Sequence, residues 1–449
     1  MNDTIAAVAT APGRGAVGVV RLSGPGAFDI ARQLTGTALP PPRQAALRHL
    51  HGTDGGVLDT GLVLVFPAPR SFTGEDVVEL QGHGGPVVLE ALLAAACALG
   101  ARRARAGEFS ERAFLNGRLD LAQAEAIADL INAGSAAAAR AAARSLDGLF
   151  SAQVNALAEG LIAARVFIEG ALDFSDEDIN WLADAQLVTR LDALEEQLAA
   201  LLAAARRGQR LQQGLSVALT GSPNVGKSTL LNRLAGSDRA IVTDIPGTTR
   251  DVLRETLDLD GLPLTLLDTA GLRESGDVVE QEGIRRAWAA LQQAELILFL
   301  VDDRSGPTPA DQALLARLPT GSPVRVIRNK CDLSGAAPAR LEADGRVELR
   351  LCAASGAGIE LLVQEIKTLA GLGAAETETA FSARSRHVDA LVRTQTHLRA
   401  TREHLHHAQL PELAAEELRQ AHEALGEITG RFSPDDLLGR IFASFCIGK

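Results

Sequence analysis

The sequence predicts an α/β and all-α architecture in three parts. Residues 1–118 alternate short β-branched runs with glycine-rich turns, which is typical of a compact α/β domain. Residues 119–213 and 374–449 show alanine- and leucine-rich helical periodicity. Residues 214–373 alternate apolar runs of strand length with helical stretches, as in a mostly parallel sheet. We therefore predict a second α/β domain inserted between two parts of one helical domain.

Length and composition indicate a multidomain globular protein. A chain of 449 residues exceeds one ordinary core, so about two to four domains are expected. The 46% hydrophobic and 22% charged content is typical of soluble proteins, and no apolar run approaches the roughly 18 residues of a membrane helix. Without a signal sequence or a Cys-x-x-Cys pair, we expect a cytoplasmic protein with no membrane contact, zinc site or disulfide. The net charge of −12 disfavours indiscriminate binding to polyanions.

The N-terminal part contains four strand candidates and one clear helix. The strands are predicted at Thr4–Thr10, Val17–Leu22, Leu62–Phe66 and Val77–Leu80. The helix is predicted over Pro86–Leu99, because proline is favoured at the first helical position and Gly100 follows the end. The glycines between Gly13 and Gly18 match a dinucleotide fingerprint but precede a strand, so a tight turn is the better interpretation.

A phosphate-binding loop organises the inserted part. Gly221–Ser228 matches the pattern of glycine, four variable residues and Gly-Lys-Ser. The run Leu215–Leu219 predicts a buried strand before the loop, and Ser228–Leu234 predicts a helix after it. In this context backbone N–H groups and the helix N-terminus bind phosphate. Lys227 is expected to reach the outer phosphates, and Ser228 to hold Mg²⁺.

Four further motifs follow in the order expected of a Ras-like P-loop GTPase domain. Asp268–Gly271 follows an apolar strand, and Gly247–Asp251 precedes that strand in a loop that can close over Mg²⁺. An aspartate in Asn329–Asp332 can accept hydrogen bonds from the N1–H and 2-amino groups of guanine, which selects GTP. The fourth motif, Cys352–Ala354, follows an apolar run and is expected to support the base through its backbone, although a serine is usual where Cys352 stands. The residues expected to bind GTP are Asn224, Val225, Gly226, Lys227, Ser228, Thr229, Thr243, Asp244, Ile245, Pro246, Gly247, Thr248, Thr249, Asp268, Thr269, Ala270, Gly271, Asn329, Lys330, Cys331, Asp332, Cys352, Ala353 and Ala354.

Leu272 occupies the position at which Ras-like enzymes carry the glutamine that orients the attacking water. Leucine cannot form that hydrogen bond, and the sequence identifies no arginine finger. Asn224 offers a carbonyl oxygen at which a monovalent cation could supply the missing positive charge.

Motifs outside the GTPase part resemble the MnmE (TrmE) family of tRNA-modification GTPases. The resemblance covers nearly the whole chain. It rests on Asp3–Ile5, Pro12–Gly15, Phe72–Asp76, Glu79–Gly85, Gly107–Ser110, Leu119–Glu125 and Cys446–Lys449.

The resemblance implies an N-terminal folate-binding domain that makes a constitutive homodimer. It also implies a flavin-dependent partner, MnmG, with which a carboxymethylaminomethyl-type group is added at C5 of the wobble uridine of tRNA. The implied folate is 5-formyl- or 5,10-methylene-tetrahydrofolate, bound by Arg21, Glu79, Arg118 and Lys449. The family often has lysine where Arg118 stands, and arginine differs from lysine in its hydrogen-bonding geometry.

The resemblance also assigns roles in hydrolysis. A K⁺ site is implied at Asn224, Thr243, Ile245 and Thr248, and Mg²⁺ is implied at Ser228 and Thr249. Glu280 would orient the attacking water when two GTPase domains pair. Cys446 would act near the folate, although a buried apolar thiol is the alternative from the residues alone.

Other patterns have simpler explanations. Arg102, Arg103 and Arg105 could contact tRNA phosphates or form a solvated loop face. The leading functional hypothesis is a GTPase that drives a tRNA-modifying complex. The alternatives are a ribosome-assembly or RNA-binding GTPase acting as a timer, and a switch that binds only a protein partner.

Overall fold

The structure, a computed structural model, describes residues 3–173, 185–236, 254–259, 261–268, 278–343, 345–371, 380–408, 410–432 and 435–448. The chain forms two compact units. The first unit comprises residues 1–128, 146–191 and 396–449, and the second comprises residues 129–145 and 192–395. The four domain ranges given by the sequence remain predictions.

The first unit is built on a six-stranded sheet. Its strands are β1 (Ile5–Val8), β2 (Gly15–Ser23), β3 (Ala46–His51), β4 (Val57–Phe66), β5 (Val77–Gly84) and β6 (Arg102–Arg103). The spatial order is β3-β4-β5-β2-β1-β6, and the pairing is antiparallel except between β1 and β6. Helices α1 (Ala27–Thr35) and α2 (Pro86–Ala98) pack on the face that buries Leu22 and Leu80. Arg21 and Glu79 alternate with these residues and therefore lie on the other face.

The four predicted N-terminal strands and the helix starting at Pro86 are confirmed. The expectation of one helical stretch is wrong, because α1 and α3 (Glu108–Leu115) are also helical. The sequence obscures α1 because the helix is short and follows the turn residues Gly24-Pro25-Gly26. Strand β3 was missed because it is an edge strand whose Leu47 is exposed.

Helices complete the first unit. They include α4 (Leu121–Ile131), α6 (Leu149–Asp173), α14 (Pro411–Thr429) and α15 (Asp435–Ala443). Helices α6 and α14 pack along each other. Phe442 and Phe445 pack with Leu121 and Ala124 in one apolar cluster, which fixes the C-terminal segment beside the start of α4.

The second unit is built on a seven-stranded, mostly parallel sheet, as predicted. Its strands are β7 (Leu215–Gly221), β8 (Arg254–Leu259), β9 (Leu262–Asp268), β10 (Leu296–Asp302), β11 (Val324–Asn329), β12 (Ala339–Ala343) and β13 (Arg346–Arg350). The order is β12-β13-β11-β10-β7-β9-β8, with antiparallel pairs at the two edges only. Its helices are α8 (Lys227–Ala235), α9 (Val278–Gln293), α10 (Pro309–Arg317), α11 (Cys331–Ser334) and α12 (Ile359–Ala370).

The second unit also includes helical segments that flank the sheet in sequence. These belong to α5 (Ala136–Leu146), α7 (Ala185–Gln213) and α13 (Ser385–Glu403), and α13 continues into a π-helical turn at His404–Ala408. Asp129 accepts hydrogen bonds from Gln212 Nε2 at 3.2 Å and from Arg384 Nη2 at 2.7 Å. Segments distant in sequence are thereby joined by one carboxylate. Among the described residues, no helix combines the length and apolar character needed to cross a membrane.

Candidate nucleotide and folate sites

The phosphate loop lies between the end of β7 and the start of α8. Gly221 and Gly226 have φ values of 137° and 98°, which favour glycine, and Asn224 adopts the left-handed region with φ 61°. Lys227 Nζ donates to the carbonyl oxygens of Gly221 at 2.8 Å and Ser222 at 2.9 Å. Because α8 begins at Lys227, its first-turn N–H groups face the loop and form an anion site.

Side chains from other elements hold the loop in place. Ser222 Oγ donates to Asp311 Oδ1 at 2.7 Å. Asp311 also forms the capping box at the start of α10 with the N-cap residue Thr308. Asn329 Nδ2 donates to the Val225 carbonyl oxygen at 2.8 Å. Sequence reasoning missed Asp311, because the loop and α10 are far apart in the chain and only the parallel strand order brings them together.

The predicted base-binding residues converge at the ends of β11 and β13. Asn329 is buried, and its Oδ1 accepts a hydrogen bond from the Ala353 N–H at 2.9 Å. Asp332 is exposed at the start of α11, where a guanine edge could reach its carboxylate. The Ser355 N–H donates to Cys352 Sγ at 3.4 Å. The sulfur thus accepts a backbone hydrogen bond, as a serine hydroxyl could at this position.

Of the two buried cysteines of this region, Cys331 is a poor nucleophile in this environment. Burial raises the pKa of the Cys331 thiol, and the neighbouring Cys352 and Asp332 raise it further. Cys331 and Cys352 are both buried and therefore belong to the packed part of the base region.

Several predicted site residues lie outside the described residues. These are Thr243, Asp244, Ile245, Pro246, Gly247, Thr248, Thr249, Thr269, Ala270, Gly271 and Lys449. Asp268 is the last residue of β9, and Glu280 is the third residue of α9. These two are placed by their backbones only.

The candidate folate residues Arg21 and Glu79 form an ion pair on neighbouring strands. Arg21 and Glu79 are cross-strand partners in β2 and β5, and Arg21 donates through Nε at 3.0 Å and Nη2 at 2.8 Å to Glu79 Oε1. Gln81 Nε2 donates to Glu79 Oε2 at 3.3 Å. The Arg21 guanidinium also lies 5.7 Å from the centroid of the Phe72 ring. The pair is half-buried on the sheet face opposite α1 and α2.

The loop Phe72–Glu75 connects this pair to the third folate candidate. Ser23 Oγ lies 2.7 Å from Thr73 Oγ1, and Asn116 Nδ2 donates to the Thr73 carbonyl oxygen at 2.7 Å. A Cβ on Gly74 would lie 3.2 Å from Arg118 Cγ, so the exposed Arg118 runs beside the loop. The structure therefore brings Arg21, Glu79 and Arg118 to one region.

The C-terminal segment reaches the same region. Ile447 forms an antiparallel bridge with Ala106, and the Gly107 N–H donates to the Cys446 carbonyl oxygen at 3.3 Å. Gly448 lies against Val8, the residue after the partner of Arg21 in the sheet. Cys446 is exposed, so the alternative of a buried apolar thiol is wrong.

The arginines considered for tRNA binding are already paired with acids. Arg102 contacts Asp3 and Glu108, Arg103 contacts Glu90, and Arg105 contacts Glu111. Their charges are therefore largely compensated, which disfavours them as a phosphate-binding patch. Within the described ranges, no cluster of three His, Cys, Asp or Glu residues could hold a metal ion.

Two family models match the sequence. The model described as "GTP-binding protein TrmE N-terminus" matches residues 4–118, and the model described as "MnmE helical domain" matches residues 121–446. The chain belongs to the MnmE (TrmE) family. The match to the MnmE helical model begins before the seven-stranded sheet in the sequence and ends after it. The predicted combination of N-terminal α/β, helical and P-loop GTPase folds is confirmed.

Curated MnmE proteins are similar over the full chain. "tRNA modification GTPase MnmE" of Hydrogenovibrio crunogenus is 53% identical, with 100% of this chain and 99% of the relative covered. The proteins of the same name from Nitrosococcus oceani and Acinetobacter baumannii are 53% and 54% identical, with 100% of this chain and 98% and 99% of the relatives covered.

Proposed function

We propose that this chain is a GTPase whose hydrolysis cycle drives modification of tRNA at C5 of the wobble uridine. Full-length identity of 53% to a protein named tRNA modification GTPase MnmE carries the proposal. The phosphate loop and the base-binding residues Asn329 and Asp332 supply the chemistry for GTP. A homodimer and a flavin-dependent MnmG partner, which would add the carboxymethylaminomethyl-type group, are part of the proposal, as is a cytoplasmic location.

Mass spectrometry of tRNA nucleosides tests this function. Cells that lack the protein are complemented with the wild type or with Lys227→Ala, which removes the ammonium group of the phosphate loop. We expect the modified wobble uridine to be lost in the deletion strain and restored only by the wild type. Unchanged uridines combined with accumulating ribosomal precursors would favour the assembly-GTPase alternative.

Oxygen donors near the loop fit the proposed metal ions. Ser228 presents an exposed hydroxyl in the first turn of α8, and Asp268 ends the adjacent strand β9, which suits the oxygen preference of Mg²⁺. Asn224 is exposed beside the loop and offers an amide oxygen for K⁺. The remaining proposed ligands, Thr249 for Mg²⁺ and Thr243, Ile245 and Thr248 for K⁺, belong to the same proposal.

Hydrolysis is proposed to depend on K⁺, pairing of two GTPase domains and Glu280. Leu272 cannot orient water, so a carboxylate must do so from elsewhere, and the bound cation would screen its charge from the γ-phosphate. GTP turnover in KCl and NaCl at equal ionic strength, at several protein concentrations, tests the cation and the pairing. Glu280→Ala is expected to bind GTP normally and to lose roughly 100-fold or more in single-turnover hydrolysis. Equal rates in both salts, or parallel losses of binding and turnover, would contradict this assignment.

The N-terminal region is proposed to bind 5-formyl- or 5,10-methylene-tetrahydrofolate. The half-buried Arg21–Glu79 pair offers a polar floor for a pteridine, and Arg118 with Lys449 offers positive charge for the glutamate tail. The folate would supply a one-carbon unit, and Cys446 stands on a segment anchored nearby. Cys446→Ser is expected to retain GTP turnover and to abolish tRNA modification. Full modification by that variant would exclude a chemical role for the thiol.

A further inference from the structure

The ammonium group of Lys330 links the phosphate loop to an acidic residue outside every GTPase motif. Lys330 Nζ donates to the Asn224 carbonyl oxygen at 2.6 Å and to Asp302 Oδ2 at 3.0 Å. Lys330 belongs to the base-binding motif, whereas Asn224 belongs to the phosphate loop. Asp302 is the last residue of β10, the strand between β7 and β11. None of the nucleotide motifs includes Asp302.

Asp302 is itself held by Arg304. Arg304 donates to Asp302 Oδ1 through its backbone N at 3.1 Å and Nε at 3.0 Å, and to Oδ2 through Nη2 at 2.7 Å. The Asp302 side chain is 16% exposed, whereas that of Arg304 is 55% exposed. Arg304, followed by Lys330, holds the pKa of the Asp302 carboxyl well below its usual range. Asp302 is therefore a fixed negative charge that faces Lys330.

The residue that Lys330 holds has a left-handed backbone conformation. Asn224 has φ 61°, which asparagine adopts more readily than most residues other than glycine. The next carbonyl, of Val225, is held by Asn329, whose amide is fixed by the Ala353 N–H. Two consecutive carbonyls of the phosphate loop are thus held from the base-binding motif. Ala353 fixes one of the two donors, and Asp302 fixes the other.

We propose that Asp302 is a positioning residue for guanine-nucleotide retention. It holds Lys330 against the Asn224 carbonyl, and the loop keeps the conformation in which its N–H groups face phosphate. Arg304 orients the carboxylate and limits its movement. The inference rests on the proposed GTP binding and adds a residue that controls how long the nucleotide stays bound.

Asp302→Asn in the full chain is the first test, because asparagine keeps the shape and removes the charge. We expect a fluorescent GDP analogue to dissociate roughly tenfold faster, because charge-assisted hydrogen bonds of partly buried groups contribute on that scale. The KM for GTP should rise by a similar factor, while kcat changes far less. An unchanged dissociation rate would overturn the proposal.

The neighbouring Asp303 provides a matched control. Its carboxylate is 2% exposed and accepts hydrogen bonds from Arg328 Nε at 2.6 Å, from Arg350 Nε at 3.2 Å and from Ser334 Oγ. Asp303→Asn removes the same charge one residue along the chain. It should lower the melting temperature and leave the nucleotide dissociation rate within about twofold of the wild type. Equal acceleration by both substitutions would indicate a general structural effect and overturn the proposal.

A double-mutant cycle tests the route through Lys330. In a Lys330→Ala background, Asp302→Asn should change the dissociation rate by less than about twofold, because its partner is gone. A tenfold effect that persists in that background would overturn the route. Arg304→Ala, at an exposed position, tests the same route if Asp302→Asn does not fold, with an expected acceleration of roughly threefold. If wild-type protein does not bind the GDP analogue, the proposed function fails, and that result is distinct from the other outcomes.

Discussion

Gly226 stands where the phosphate loop meets Asn329 from the base-binding motif. Its φ of 98° is unfavourable for any residue with a Cβ, and a Cβ there would collide with Asn329 Nδ2. The collision would break the hydrogen bond from Asn329 to the Val225 carbonyl oxygen. Glycine is therefore favoured at position 226 both by the backbone conformation and by the lack of space for a Cβ.

We expect Gly226→Ala to weaken GDP binding by roughly tenfold or more, the scale of one strained backbone position. Titration with a fluorescent GDP analogue measures the change. Gly321→Ala is the control, because a Cβ at Gly321 has no neighbour within 4 Å. The control should bind like the wild type, and normal affinity in Gly226→Ala would show that the loop can shift without cost.

Glu108 is a buried carboxylate at the centre of an ion-pair cluster in the first unit. Its side chain is 0% exposed and accepts hydrogen bonds from Arg102 Nη2 at 2.6 Å, the Arg105 N–H at 2.8 Å and Arg112 Nη2 at 3.2 Å. Asp3 and Glu75 share the Arg112 guanidinium. Burial alone would raise the pKa of Glu108, but the hydrogen bonds from Arg102 and Arg105 lower it to about 2.

The sign of the pH dependence follows from that lowered pKa. The ordinary value is 4.5, so the unfolded chain binds a proton at a pH where folded Glu108 does not. Its stabilising contribution is present above pH 4.5 and is lost as pH falls towards about 2. Urea unfolding followed by circular dichroism should therefore show a smaller loss of stability over this range in Glu108→Gln than in the wild type. Glu111→Gln, which removes a partly exposed carboxylate bound to Arg105, is the control for the loss of a neighbouring negative charge.

The β8–β9 hairpin lies between two predicted nucleotide motifs in the sequence and contacts a helix outside the sheet. Strand β8 starts five residues after Thr249, and β9 ends at Asp268. At the turn, the Gly261 carbonyl oxygen accepts a hydrogen bond from Ser135 Oγ at 2.8 Å, and Ser135 Oγ also accepts the Ala138 N–H at 3.1 Å. A movement of β8 and β9 along the sheet would therefore be transmitted through Ser135 to the N-terminal turn of α5.

Gly261→Ala tests this link. A Cβ at Gly261 would lie 3.0 Å from Ala137 Cβ, and the residue has φ 95°. We expect tRNA modification to fall by roughly twofold to thirtyfold relative to GTP hydrolysis, the range for substitutions along a coupling route. Gly345→Ala is the matched control, because Gly345 also has positive φ, 71°, but no neighbour within 4 Å of its Cβ. Equal losses of modification and hydrolysis in Gly261→Ala would contradict the link.

The strands and helices that carry the nucleotide motifs were predictable, because apolar runs and turn glycines mark them locally in the sequence. The strand before the phosphate loop, β7, matches the apolar run predicted at Leu215–Leu219. Contacts between Asp302 and Lys330, or between Ser135 and Gly261, join residues 28 and 126 positions apart. Strand order decides which of these polar residues meet, and a single sequence does not encode that order locally.

The candidate sites are divided between the two compact units. The described nucleotide residues belong to the second unit, whereas Arg21, Glu79, Arg118 and Cys446 belong to the first. Each unit has its own apolar core: Leu22 and Leu80 belong to that of the first, and Leu219 and Leu298 to that of the second. A ligand that binds only one folded unit stabilises that unit by mass action.

Thermal unfolding of the whole chain should therefore show two transitions that respond to different ligands. At about 100 times its Kd, a ligand adds about 2.7 kcal/mol, which corresponds to roughly 5–10 °C for a unit of this size. GDP with Mg²⁺ is expected to raise one transition in differential scanning calorimetry, and 5-formyl-tetrahydrofolate the other. Gly226→Ala assigns them, because a tenfold loss of affinity should reduce the shift with GDP to about half and leave the shift with folate unchanged. A single transition raised by both ligands would contradict independent units, since each ligand would then be stabilising one cooperative fold.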